Sequence, residues 1–281
     1  MTTATSTSPT SLAELRPARA AAISAFGSML LRDLRVLRKD VRIFIVRTLM
    51  QPLLLLFVFT YVFPKIGQSI GGRGEGQAAF STLLVAGVIA TAMIFQGIQA
   101  VALPLVREFG YTREIEDRVM APLPVWAVAT EKIAAGALQA ILAGLIVFPL
   151  AKLVPATDVH LTIRWATLIP ITILSALTGA SLGLFLGTKF EPNQVPLMFS
   201  IIVIPMTFLG ATYYPWARLT PIKWLKVVVL LNPLVYMSEG FRMALTPIPH
   251  MNSVAIFAAL IGFTLVLSWL GITGFKRRVL A

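Results

Sequence analysis

The chain has 281 residues, of which 57% are hydrophobic and only 13% are charged. In an ordinary soluble domain about a quarter of the residues are charged, so this composition excludes a water-soluble globular protein. The net charge of +12 would suggest a nucleic-acid partner in a soluble protein, but here the basic residues flank long apolar runs and indicate membrane orientation, with no nucleic acid. Cysteine is absent, which excludes disulfides and thiolate metal sites.

The N-terminal segment divides into a tail and a basic helix. Residues 1–20 are predicted to form a disordered tail, so the membrane domain is assigned to residues 21–281. Between Ile23 and Ile45, apolar residues recur at steps of three or four and basic residues occupy the other positions. This pattern predicts an amphipathic helix in the membrane interface, with its basic face toward anionic headgroups. The alternative is a juxtamembrane segment that is merely positive.

Six apolar runs follow, and each reaches or approaches the roughly 20 residues that a helix needs to cross a bilayer. We therefore predict an all-α polytopic membrane protein with six transmembrane helices, since barrel strands are about ten residues of alternating character. If the N-terminus is cytosolic, 16 of the 24 Lys and Arg residues lie inside, so both termini should be cytosolic. The runs lie at Phe44–Phe63, Phe80–Val106, Ile133–Leu150, Trp165–Leu186, Val195–Ala211 and Val254–Phe275.

Polar and small residues mark three of these runs. Gln96 and Gln99 in the second run are candidates for a substrate path, because a polar side chain in hydrocarbon usually faces protein or a cavity; hydrogen bonding between helices is the alternative. The third and fourth runs carry small residues at four-residue spacing, which lets helix backbones approach closely. Packing within the chain is favoured over a dimer seam. These rows are Gly136, Ala140 and Gly144, and Ser175, Gly179, Gly183 and Gly187.

The loop between the second and third runs is short but dense in charge. Thr112 can cap a helix whose first turn is acidic, and Pro122 ends it. A short rigid helix of mixed charge below the membrane is suited to docking on a cytosolic protein, although a solvated surface helix without a partner would look the same. The candidate docking residues are Glu108, Arg113, Glu114, Glu116, Asp117 and Arg118.

After the fifth run the chain is apolar but interrupted by prolines, and its longest unbroken stretch is too short to cross a membrane. We predict a re-entrant segment in the outer leaflet. Asn232 and Pro233 interrupt it, and Glu239 and Arg242 follow at the helical spacing of three, so these residues are predicted to form an outer gate. The alternative is an exposed ion pair worth about 0 to 1 kcal/mol.

These features together resemble type-2 ABC exporter permeases. One part of the likeness is the loop in which Glu108 and Gly110 precede a charged helical turn that ends at Pro122. The basic first helix is the second part, and the third is a set of residues before the last span, namely Pro233, Leu234, Tyr236 and Arg242. The resemblance adds Tyr236 to the gate. Thr220 before Pro221 departs from the family pattern, which has an apolar or small residue at this position.

The resemblance implies half of a transporter in a bacterial cytoplasmic (inner) membrane. A second permease chain, identical or different, would join it, together with membrane lipid and cytosolic ABC ATPase subunits that hold ATP and magnesium. The chain itself would carry no cofactor and would not be an enzyme, which agrees with its lack of a G-x-x-x-x-G-K-[ST] phosphate loop. The expected cargo is an amphipathic drug, lipid or glycan, moved out of the cytoplasm.

Other classes of membrane protein are less well supported. An ion-coupled secondary transporter needs ionisable residues within its spans, and the six runs contain no Asp, Glu, Lys or His apart from terminal residues. A membrane-embedded enzyme would need paired carboxylates or a metal-ligand cluster at one depth. The ion-coupled transporter and a non-catalytic membrane protein remain the alternatives.

Overall fold

A computed structural model of the protein describes residues 18–68, 74–112, 124–156 and 159–280. Within these ranges the elements are helices joined by loops, and there is no strand. Five helices in the described part of the chain are long and apolar enough to cross a membrane, and the predicted fifth span corresponds to a shorter apolar helix, Pro192–Phe208. The predicted all-α polytopic class is confirmed. The main helices are α1 Ala18–Lys39, α2 Val41–Lys65, α3 Glu75–Arg107, α4 Val125–Leu153, α5 Trp165–Lys189, α6 Pro192–Phe208, α7 Lys223–Val228, α8 Pro233–Leu245 and α9 Ser253–Leu280.

The first two helices are separate elements, although the apolar pattern ran on to Ile45. The backbone leaves the helical region at Asp40, with φ −103° and ψ 21°. The Asp40 carbonyl then accepts a hydrogen bond from the Phe44 amide at 2.9 Å, which starts α2. Phe26 and Leu30 of α1 are half-buried while Arg32 and Arg35 are exposed, as expected for an amphipathic helix.

The centre of the bundle is the contact between α3 and α5. A Cβ atom added to Gly97 would lie 2.7 Å from the backbone carbon of Gly179, and one added to Gly183 would lie 2.8 Å from the Gly97 carbonyl oxygen. Real Cβ atoms do not approach backbone so closely, so glycine is required at these positions. The row of small residues on α5 therefore packs within the chain, and the favoured interpretation of that row is confirmed.

Helix α8 is a short buried element inserted between α3, α5 and α9. It has 13 residues and a length of about 20 Å, which is less than the hydrocarbon thickness of about 30 Å. Its last carbonyls, which lack partners within the helix, accept hydrogen bonds from the loop before α5. Thr162 N donates to Leu245 O at 2.8 Å, and Arg164 donates from its amide to Ala244 O and from its side chain to Met243 O, both at 2.9 Å.

Candidate functional sites

Glu239 and Arg242 of α8 form a buried ion pair at the end of the bundle that holds residues 209–216. Arg242 Nη1 lies 2.7 Å from Glu239 Oε1, and the two side chains are 0% and 1% exposed. The two residues pair at the predicted helical spacing of three. The pair is buried, so the alternative of an exposed ion pair is wrong. Whether the pair acts as a gate stays a prediction.

The pair connects α8 to two other segments of the chain, residues 209–216 and the loop at Met251. Glu239 Oε1 also accepts from the Trp216 amide at 2.8 Å, and Oε2 accepts from the Met251 amide at 2.8 Å. Arg242 Nη2 donates to the carbonyl of Ala211, the residue that turns the chain after α6 with a φ of +54°. A left-handed conformation at a residue other than glycine costs about 1 kcal/mol or more and persists only when its surroundings hold it. The ion pair therefore fixes the path from α6 into α8 and from α8 into α9.

The other predicted gate residues lie at the start of α8. Asn232 caps the helix, because its Oδ1 accepts from the Leu234 amide at 3.0 Å, and its Nδ2 donates to Met206 O of α6 at 2.6 Å. Pro233 occupies the first helical position, where no amide donor is needed. Tyr236 is half-buried, and its ring centre lies 5.9 Å from that of Phe263 on α9. These three residues hold α8 against α6 and α9.

At the opposite end of the bundle, Glu108 forms a second buried ion pair. Its Oε1 lies 2.7 Å from Lys132 Nζ, with side-chain exposures of 8% and 5%. The Glu108 carboxylate therefore joins the end of α3 to α4, and its role in docking stays a prediction. The remaining docking residues, Arg113, Glu114, Glu116, Asp117 and Arg118, lie outside the described residues.

Sequence reasoning missed Arg278, which was counted only as an orienting charge. Its Nη1 donates to Phe190 O at 3.1 Å, and its guanidinium carbon lies 4.9 Å from the ring centre of Phe109. Phe109 also packs against Phe275, with ring centres 5.7 Å apart. The end of α9 thus holds both the end of α5 and the start of the loop that leads to Asp117. The spacing of three between Phe275 and Arg278, which puts both on one helix face, was the available signal.

We expect Arg278→Ala to destabilise the chain by about 1–3 kcal/mol, because it removes charge-assisted hydrogen bonds to backbone carbonyls and a cation–π contact. Thermal unfolding of the purified protein in detergent measures this. Arg277→Ala is the matched control, since Arg277 is the exposed neighbour in the same helical turn. Equal melting temperatures for the two variants would contradict a structural role for Arg278.

The two predicted substrate-path residues have different surroundings. Gln96 is buried, and it accepts from Thr48 Oγ1 and donates to Gln139 Oε1, both at 3.3 Å, which are the interhelical hydrogen bonds of the alternative interpretation. Gln99 is half-buried and lines a cavity of about 540 Å³ between α1, α2, α3 and α4. A role for either residue in a substrate path stays a prediction.

Comparison with known proteins gives one family and a consistent set of relatives. Residues 24–246 match the family described as ABC-2 type transporter. The chain is 28% identical over 223 residues to the inner membrane transport permease YadH of Escherichia coli strain K12, a match that covers 78% of this chain and 83% of the relative. The YadH proteins of Escherichia coli O157:H7 and Shigella flexneri match to the same extent. The family match runs from α1 to the residue after α8, so it includes both ion pairs.

Proposed function

Because the chain belongs to the ABC-2 type transporter family, we propose that this membrane permease exports its substrate on energy supplied by a separate cytosolic ABC ATPase. The observation that carries the proposal is the family match over residues 24–246, which spans both ends of the helical bundle. The similarity to inner membrane transport permeases supports a multi-pass location in a bacterial inner membrane. A second permease chain, identical or different, would complete the pump.

The proposed coupling element is the loop between α3 and α4. Its flanks are anchored to the bundle by the Glu108–Lys132 pair and by Phe109 beneath Arg278. A force applied by the ATPase to this loop would therefore act on α3, α4 and α9 together. Helix α3 packs along α5 and α8, so its movement reaches the Glu239–Arg242 pair at the other end. This contiguous path would let closure of the ATPases open the outer end for an amphipathic drug, lipid or glycan.

The orientation that this mechanism requires is testable because the chain lacks cysteine. Gln77, beside the first turn of α3, should be outside, and Asp117 should be inside. Single replacements Gln77→Cys and Asp117→Cys are to be labelled in intact cells with a membrane-impermeant thiol reagent. We expect labelling at position 77 only. Labelling at position 117 only would show that the chain has the opposite orientation to the predicted one.

Charge reversal at Asp117 tests the coupling role. We expect Asp117→Arg to abolish export and the copurification of the ATPase while the permease remains inserted and folded, because the sequence predicts a solvated position for Asp117, where a substitution changes stability by only about 0.5 kcal/mol. Glu75→Arg is the matched control: the same charge reversal at an exposed residue at the other end of α3. Normal export and normal ATPase copurification in Asp117→Arg would refute the proposed docking.

A further inference from the structure

The cavity beside Gln99 has the size and position of a ligand site. Its volume of about 540 Å³ lies within the range of about 300–1,000 Å³ that is usual for small-molecule sites. It is bounded by the amphipathic helix α1 and by the adjoining ends of α2, α3 and α4. It therefore lies where an interfacial helix meets the spans, the depth at which lipid headgroups are found.

Two arginines line this cavity without forming an ion pair with any described carboxylate. Arg47 comes from α2 and Arg107 from the end of α3, and they are close enough to repel each other electrostatically. Neither has a carboxylate partner among the described residues. Arg32 adds a third positive charge, while Asp33 of α1 and Asp40 before α2 supply two negative ones, so the lining carries a net positive charge once Glu108 and Lys132 have neutralised each other. Two neighbouring guanidinium groups that are not paired with a described carboxylate are suited to binding an oxyanion, above all phosphate.

The lining around the arginines combines polar and apolar side chains. Gln99 and Gln139 line the cavity, and a smaller space of about 20 Å³ that shares Arg47 and Gln99 continues along α2 and α3 past Thr48 and Gln96. The apolar part of the lining includes Ile43, which is 70% exposed, and Leu103. A molecule with both a phosphate and an alkyl chain can contact the arginines and the apolar side chains together. A small soluble anion would leave the apolar side chains uncovered.

We propose that this cavity binds the phosphate group of a lipid-like amphiphile, with Arg47 and Arg107 as the phosphate ligands and Gln99 and Gln139 as neighbouring hydrogen-bond donors. The inference deepens the proposed function, on which it rests, because it assigns a substrate class to the predicted path at Gln99. Binding can nevertheless be measured on the permease alone. A failure to bind would overturn this inference and leave the ATPase-coupling test at Asp117 unaffected.

The test is saturable binding of fluorescent lysophosphatidic acid to the purified full chain in dodecyl maltoside, with competition by unlabelled ligands. Arg47→Gln and Arg107→Gln should each weaken binding about tenfold, which corresponds to about 1.4 kcal/mol, because each replacement removes a charge-assisted hydrogen bond to the phosphate. Arg42→Gln is the matched control, because Arg42 is an exposed arginine of the same helix α2 that does not line the cavity. It should bind within about twofold of the unaltered chain, and thermal unfolding should show that all three variants are folded.

Competition by soluble and lipid phosphates distinguishes the sources of the anion. Unlabelled lysophosphatidic acid should displace the probe at concentrations at which glycerol 3-phosphate does not. Equal competition by glycerol 3-phosphate would overturn the amphiphile as the ligand. Absence of saturable binding, or equal weakening in Arg42→Gln and Arg47→Gln, would overturn the site itself and leave only a generally basic surface.

Discussion

Replacing Glu239 by Gln is expected to lower the free energy of unfolding by about 3–5 kcal/mol, because Arg242 then remains buried without a counter-charge. The carboxylate also accepts hydrogen bonds from the Trp216 and Met251 amides, and an amide side chain supplies only one acceptor oxygen for these donors. The loss should appear as a large decrease in thermal stability of the purified chain. Glu75→Gln, which makes the same change at an exposed position, should leave stability nearly unchanged.

The double variant Glu239→Gln with Arg242→Gln completes a mutant cycle. It removes both charges, so it should be more stable than the sum of the two single effects implies, with a coupling energy of about 0.5–3 kcal/mol. Strict additivity would mean that the two side chains do not stabilise each other.

The gate prediction is examined better at Pro233. Replacement of Pro233 by Ala restores a helix donor at a position that does not need one, so it should cost little stability. Altered export in a stable Pro233→Ala variant would support the gate, whereas unaltered export would leave α8 as packing alone. Glu239→Gln is a poorer test of the gate, because the loss of stability from the buried ion pair would itself reduce export.

Replacing Gly183 by Leu is expected to cost about 3 kcal/mol or more, because even its Cβ would lie 2.8 Å from the Gly97 carbonyl oxygen and 3.0 Å from the Ile98 Cα atom. Both atoms belong to the backbone of α3, so no side-chain rotation can make room and the two central helices must separate. Thermal unfolding and size-exclusion chromatography in detergent would show loss of the folded chain. Gly183→Ala should have a smaller effect of the same sign.

Gly262→Leu is the matched control for this substitution. Gly262 also lies within a long apolar helix, but an added Cβ there meets no atom within 4 Å. The variant should be neutral or slightly more stable, since glycine costs a helix about 1 kcal/mol relative to alanine. Equal loss in Gly183→Leu and Gly262→Leu would show that close approach of α3 and α5 does not hold the bundle together.

The sequence by itself determined the class of the protein, the position of its spans and the identity of its most constrained residues. A membrane admits only long apolar helices or closed barrels, so run length alone identified helices α2 to α5 and α9. Spacing within one helix was equally informative. It paired Glu239 with Arg242, and it marked Gly179 and Gly183 as residues that allow close approach, because neighbours on one helix face are three or four positions apart.

Only the tertiary structure decided which of these faces is buried and what each buried group contacts. Lys132 lies 24 positions from Glu108, and Arg278 lies 88 positions from Phe190, so neither contact follows from helical spacing. Hydropathy does not show which face of each helix points toward its neighbours, because in a membrane the faces toward lipid and toward protein are both apolar. For that reason the sequence could place Glu239, Arg242 and Gln96 in the correct elements but could not show that all three are buried and hydrogen-bonded to other segments of the chain.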